Sequence, residues 1–277
     1  MKIRLGYDIR FSTIGPVPFV AMLNVHPSRV KDLLEPDILH AGPGTIATNQ
    51  YIDTYGNICV RLIAPGGEFR MHNSTLIQDS GLLDAYAPEA RQIPVGELPY
   101  ETLQYLLGSR YCETDLLANT ATELFGRTQP GWARVAAICS WVNQHVTFGY
   151  PFAHPTKTAL QVLNTKQGVC RDFQHLAVAF CRCMHIPARY ATGYLGDIGV
   201  PLTPPMDFSA WFEAYLDNRW WTFDARHDAP RVGRVLMAVG RDAADVAMTT
   251  SFGAAPLLEF NVTAEVEEEK QLRPTQS

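Results

Sequence analysis

Near residue 110 the hydrophobic period of the chain changes, and that change limits the fold more than any single motif does. Before it, apolar residues come in short runs, "KIRLGYDI", "PFVAMLNV", "NICVRLIA" and "EFRMHNSTLIQ", separated by clusters of Pro, Gly and Asn. Runs of this length between turn-forming residues read as strands. Beyond it, "GWARVAAICSWVNQHV" places apolar residues at 132, 135, 136, 139 and 142, the spacing of a helix with one buried face. The segment between, "LPYETLQYLLGSRYCETD", has helical spacing at Leu103, Leu106 and Leu107, stops at Gly108 and joins the halves. The pattern predicts a β-rich domain over 1–108, a second domain over 109–263 and a solvated acidic tail over 264–277.

The second half reads as helices followed by a sheet. "TKTALQVLNTKQG" predicts a short helix capped by Gly168, and a further helix opens at Cys170 and ends before Pro187. "ARYATGYLG", "FSAWFEAYL" and "RWWTFDAR" are aromatic and β-branched runs that predict antiparallel strands. The class is therefore α+β, with helices packed on an antiparallel sheet and a β-rich region in front.

Bulk composition narrows the function only by exclusion. The 277 residues are 47% apolar and 18% charged, enough for a large core. A net charge of −5 leaves no basic footprint, so no nucleic acid and no anionic membrane surface is expected as a partner. The first residues lack the apolar region of a secretory signal, and no apolar run approaches the ~20 residues that span a bilayer. A cytoplasmic location is expected. The six cysteines, Cys59, Cys112, Cys139, Cys170, Cys181 and Cys183, form neither a disulfide framework nor a zinc pattern. With no EF-hand-like loop either, no metal and no cofactor are expected.

In "CRDFQHLAVAFCRCM" positions 170, 173, 177, 180 and 184 form one stripe, with Cys170 in its first turn and Arg171, Asp172, Gln174, His175 and Arg182 elsewhere around the axis. A thiol there feels the positive end of the helix dipole and unpaired N–H groups that favour a thiolate and can serve an oxyanion. The helix alone still favours a structural cysteine, because a stripe position suits any small hydrophobe. His175 lies about 140° round the axis from Cys170, which makes it a surface or supporting group rather than the thiol's base.

A thiolate nucleophile needs an imidazole oriented by a third group, and the hairpin from Phe208 to Arg226 is where to look. Ala210, Phe212, Ala214 and Leu216 make one apolar face, leaving Ser209, Trp211, Glu213 and Tyr215 on the other. Opposing Ala214 to Trp221 and Phe212 to Phe223 keeps the apolar faces together, through a tight turn at 217–219 or a slightly longer loop holding Asn218 and Arg219. Asp224 then faces Trp211, with Ser209 as its diagonal neighbour. An imidazole at 209 would be in reach of Asp224, but serine is too short and too weak a base.

These blocks, with "GVCRDFQHLAVAF", "IPARYATGYLGDIGVP" and "GRDAADVAMTTSFG", resemble the bacterial transglutaminase-like proteins over about 110–262. The resemblance implies a papain-like core and a Cys-His-Asp triad that transfers acyl groups through a thioester to an amine or water. Cys170 matches the nucleophile and Asp224 the residue that orients the histidine. The family's histidine precedes Ala-Trp, and that position here is Ser209. Tyr150 and Trp211 are the candidate substrate-binding or oxyanion residues; for Tyr150, as for Trp141, core packing is the competing reading.

Among other histidines, His227 and His154 could substitute, each read more simply as a turn, loop or surface residue. His26, His40, His72, His145 and His185 read as surface or capping residues. Glu213 and Arg226 read as a structural ion pair. The expected function is a cysteine amidase, peptidase or acyltransferase on peptide or protein amides, one substitution short of a complete triad. The alternatives are a silent relative that binds a peptide or protein, and a serine placed at 209 to trap an active protein.

Overall fold

Alternation builds the first half. In Lys2–Thr13 (β1) the side chains of Ile3, Leu5, Ile9 and Phe11 are buried on one face. The same period runs through Val17–Ala21 (β2), most of Ile58–Ala64 (β5) and Gly67–Gln78 (β6), while His40–Gly42 (β3) and Thr48–Ile52 (β4) bury no side chain. The structure, a computed structural model, describes residues 1–267.

Helices follow: Tyr100–Leu103 (α1), Thr114–Phe125 (α2), Trp132–His145 (α3), Ala159–Thr165 (α4) and Cys170–Cys183 (α5). Two short strands, Thr147–Phe148 (β7) and Gln167–Gly168 (β8), pair in parallel between them. The chain then forms Ala188–Leu195 (β9), Ser209–Leu216 (β10), Arg219–Phe223 (β11) and Arg234–Gly240 (β12), an antiparallel sheet in the order β11-β10-β9-β12. It is the α+β class that the periods predict, helices on an antiparallel sheet with a β-rich region before them, and it has the papain-like core that the resemblance implies.

The last two strands, Thr249–Ser251 (β13) and Leu257–Val266 (β14), return to the first half. They complete two four-stranded antiparallel sheets, β14-β1-β6-β3 and β13-β2-β5-β4. Residue 108 is therefore no boundary between independent units: Tyr194, Phe208, Val235 and Met237 share one core cluster with Ile3, Phe19 and Met71. The tail also begins later than expected. Ala264 is buried, Val266 pairs with Ile3, and Glu267 N donates to Lys2 O at 2.9 Å, while residues 268–277 lie outside those described. Among the described residues no helix is long and apolar enough to cross a membrane.

The hairpin register is the predicted one, Phe212 opposite Phe223 and Ala214 opposite Trp221. The turn is shorter than the longer loop considered: Asp217 and Asn218 alone make it, at φ +48° and +62°, and Arg219 already pairs with Leu216. Two positive φ values in succession match the twist of the flanking strands, and Asp and Asn tolerate them. Helix α4 ends on Lys166 at φ +56°, not on Gly168. Glycine at 168 has another cause, since a Cβ there would stand 2.6 Å from Asp172 Cβ.

Helix α5 departs most from its amphipathic reading. Asp172, Gln174, His175 and Arg182 are all buried, because the helix runs between α2, α3 and α4 on one side and the sheet on the other. Each of these side chains has a partner, although His175 Nδ1 has none. His175 stacks on Tyr111 and packs at a tilt against Tyr190, and its Nε2 accepts from Ala243 N at 3.1 Å, so it is not a surface residue. Arg182 donates to the carbonyls of Ala188, Leu107 and Arg241 and to Ser109 Oγ. Arg182→Met keeps the stem but strands those carbonyls, and is expected to cost about 2–3 kcal/mol in urea denaturation. A loss under about 0.5 kcal/mol, the level of an ordinary surface change, would contradict this account.

Candidate active site

Cys170 is the first residue of α5, and its approach is tightly built. Strand β8 lies against β7, Gly168 leaves room for Asp172, and the Asp172 carboxylate accepts from Val169 N at 3.0 Å. Arg171 and Lys157 flank that carboxylate, at 3.2 and 4.0 Å. The thiol is part-exposed in a cleft of ≈ 400 Å³, which Tyr150, Asp207, Ser209, Arg226 and His227 also line. Burial pushes the thiol up to about 11. The Arg226 charge opposes that rise, the Asp207 carboxylate adds to it, and the main-chain N–H groups of Arg171 and Ala210 oppose it.

Behind the cleft lies Asp224, buried just past the end of β11. Its Oδ1 accepts from Gln174 Nε2 at 3.0 Å, Arg226 N at 2.9 Å and His227 N at 3.2 Å. Its Oδ2 accepts from His227 Nδ1 at 2.8 Å and Arg234 Nη2 at 2.9 Å. Burial alone would raise this carboxyl, but the His227 hydrogen bond and the Arg234 charge outweigh it and hold the group well below the usual carboxylate range. Gln174, one turn along α5 from Cys170, also donates to Ala210 O and accepts from Ala225 N, tying helix, strand and carboxylate together.

Ser209 begins β10 opposite Gly193, buried, and its Oγ has no hydrogen-bond partner. Cys170 and Ser209 line one cleft, and Asp224 reaches it through His227, which lines the same cleft. Tyr150 lines the cleft, half-exposed. Trp211 does not: it is buried against Ala191 and Val239, with the Arg234 guanidinium 5.3 Å from its ring centroid, so its place is the sheet core. The expected Glu213–Arg226 pair is also absent. Glu213 accepts from Arg189 Nε at 2.6 Å across β9 and β10, and Arg226 lies over the Phe148 ring at 3.8 Å. His154 is no substitute base in this arrangement, since its loop is outside the cleft and its ring receives Thr156 N.

Residues 118–225 match the family model of the transglutaminase-like superfamily. A solved structure from Cytophaga hutchinsonii, provisionally described as a cysteine protease, is 30% identical over 98% of this chain and 92% of its own, with a TM-score of 0.83. The chain belongs to the transglutaminase-like superfamily. An uncharacterized Mycobacterium leprae protein is 26% identical over 72% of this chain and 73% of its own length.

Sequence reasoning overlooked part of this transglutaminase-like site. Asp207 lines the cleft two residues before Ser209, with its carboxyl pushed up by burial against the opposing Phe208 N–H and Arg226 charge. Arg234 reaches Asp224 from β12 and also binds Asp84 Oδ2 at 2.8 Å. No spacing signals a partner from another strand. His227 had a signal: three residues after Asp224, it was read as a turn or surface residue, yet its ring is bound to that carboxylate.

Proposed function

We propose that this protein is a cysteine-dependent acyl-transfer enzyme that takes peptide-like amides, forms a thioester on Cys170 and passes the acyl group to water or an amine. One observation carries the reading: a part-exposed thiol at a helix N-terminus opens into a cleft, with two main-chain N–H groups directed at it and a charged Asp224 behind. The description of the Cytophaga hutchinsonii relative as a cysteine protease supports peptide amides as the substrate class. A reducing, cytoplasmic setting goes with it, since all six cysteines are free thiols.

The test is a peptide-amide library read by mass spectrometry. A covalent acyl adduct is expected on Cys170, and Cys170→Ala should reduce turnover to background. Turnover that survives the substitution would sink the proposal. A second expectation concerns the resting thiol. With its pKa at about 11, iodoacetamide labelling of Cys170 should be slow at neutral pH and climb with pH toward that value, because only the thiolate reacts. A plateau already reached below neutrality would mean a preformed ion pair.

The raised thiol and Ser209 favour a second reading, a silent relative that only binds peptides. Binding that is equal in wild type and Cys170→Ala, with no adduct, would mark it.

A further inference from the structure

The resemblance assigns the proton-transfer imidazole to residue 209, where this chain has serine. An imidazole is nevertheless bound to Asp224. Because that carboxylate is ionised, His227 Nδ1 must carry the proton in their 2.8 Å hydrogen bond, leaving Nε2 as the ring's free proton-transfer atom. The ring is part-exposed, on a residue that lines the same cleft as Cys170.

Its position is fixed from behind. Asp228 N donates to Asp224 O at 2.8 Å, closing a tight turn over residues 224–228. Helix α3 pins that turn twice, through Ser140 Oγ on Asp228 Oδ2 at 2.7 Å and Asn143 Nδ2 on Arg226 O at 2.6 Å. A surface histidine needs no such support, whereas a proton-transfer group gains from being held in place before substrate arrives.

We propose that His227, oriented by Asp224, is the general base and acid for Cys170, replacing the imidazole missing at 209. This rests on the acyl-transfer reading. As Cys170 Sγ attacks the amide carbonyl carbon, its proton passes to His227 Nε2. The C–N bond then breaks, and that proton goes to the departing amine nitrogen, leaving the thioester. In the second half a water or amine gives a proton to His227 Nε2 and attacks the thioester carbon. The S–C bond breaks and the proton returns to Sγ, so the site ends as it began.

The test uses p-nitrophenyl acetate at neutral pH, following the burst of p-nitrophenolate and the acetyl mass on Cys170. His227→Ala and the shape-preserving His227→Gln should each slow the burst about 10²-fold or more. Added imidazole should restore part of the His227→Ala rate in proportion to its concentration, and His154→Ala, outside the cleft, should stay within about threefold of wild type. Both His227 variants staying within about threefold would overturn the proposal. So would a loss that imidazole does not rescue and that follows a fall in melting temperature, which assigns His227 a structural role. A wild-type chain with no Cys170-dependent burst overturns the acyl-transfer reading itself, and this proposal with it. That failure is distinct, because it appears before any His227 variant is compared.

Discussion

Asp224→Asn is expected to lower turnover about 10⁴-fold and to destabilise the fold by about 3–5 kcal/mol. Five donors converge on this carboxylate, Gln174 Nε2, the N–H groups of Arg226 and His227, His227 Nδ1 and Arg234 Nη2. An amide keeps one acceptor oxygen and sets an NH2 against the other donors, so at least one buried N–H faces another. Turned toward His227, that NH2 favours the wrong tautomer; turned the other way, it leaves Gln174 and the turn unsupported. Arg234 keeps Asp84 but loses half of its buried charge balance.

The pH dependence has a definite sign. Asp224 is depressed in the folded state, so its stabilisation is fully present above the ordinary unfolded carboxylate pKa, about 3.9, and fades as pH falls from there toward the folded value. Thermal unfolding of wild type and Asp224→Asn should therefore differ most near neutrality and converge in strong acid. A gap independent of pH would mean that packing, not the carboxylate's charge, stabilises this region.

Local rules found the elements that local forces determine. The 208–226 hairpin came out in register because two apolar faces must meet, and a slip by one residue would expose both. Cys170 at the start of α5 was legible too, but the tasks of Gly168 and Asp172 beside it were not: the glycine leaves room for the carboxylate, which accepts from Val169 N. The errors share a physical cause as well. Asp172, Gln174, His175 and Arg182 look like a solvent face, since a sequence does not display that the last three have partners elsewhere in the fold, while Asp172 turns back on Val169 N at the helix start. Alternation puts Trp211 beside Ser209 on one strand face but cannot say that β9 and β12 cover it. Strand β14 shows the longest reach, because its pairing with β1 spans nearly the whole chain. His227 was weighed as a substitute but read more simply as a turn residue, for the opposite reason: it is close in sequence to Asp224, and a turn, not a strand, brings its ring back to the carboxylate.

Restoring the family's histidine at residue 209 is expected to fail on its own. Ser209 is buried, so an imidazole there must displace its neighbours, and it finds no free acceptor on Asp224. A carboxylate offers about four lone-pair sites, and five donors already crowd this one. Ser209→His should therefore leave the p-nitrophenyl acetate burst unchanged or weaker. Combined with His227→Ala, the same substitution meets a freed Oδ2, and should recover about 10²-fold over His227→Ala alone, with Cys170 labelled at lower pH than in wild type. Ser209→His alone giving the larger gain would show that the two imidazoles do not compete for Asp224, and that the carboxylate can release His227 at little cost. The two positions are then separable, and residue 209 rather than residue 227 would be where this chain's proton-transfer chemistry is decided.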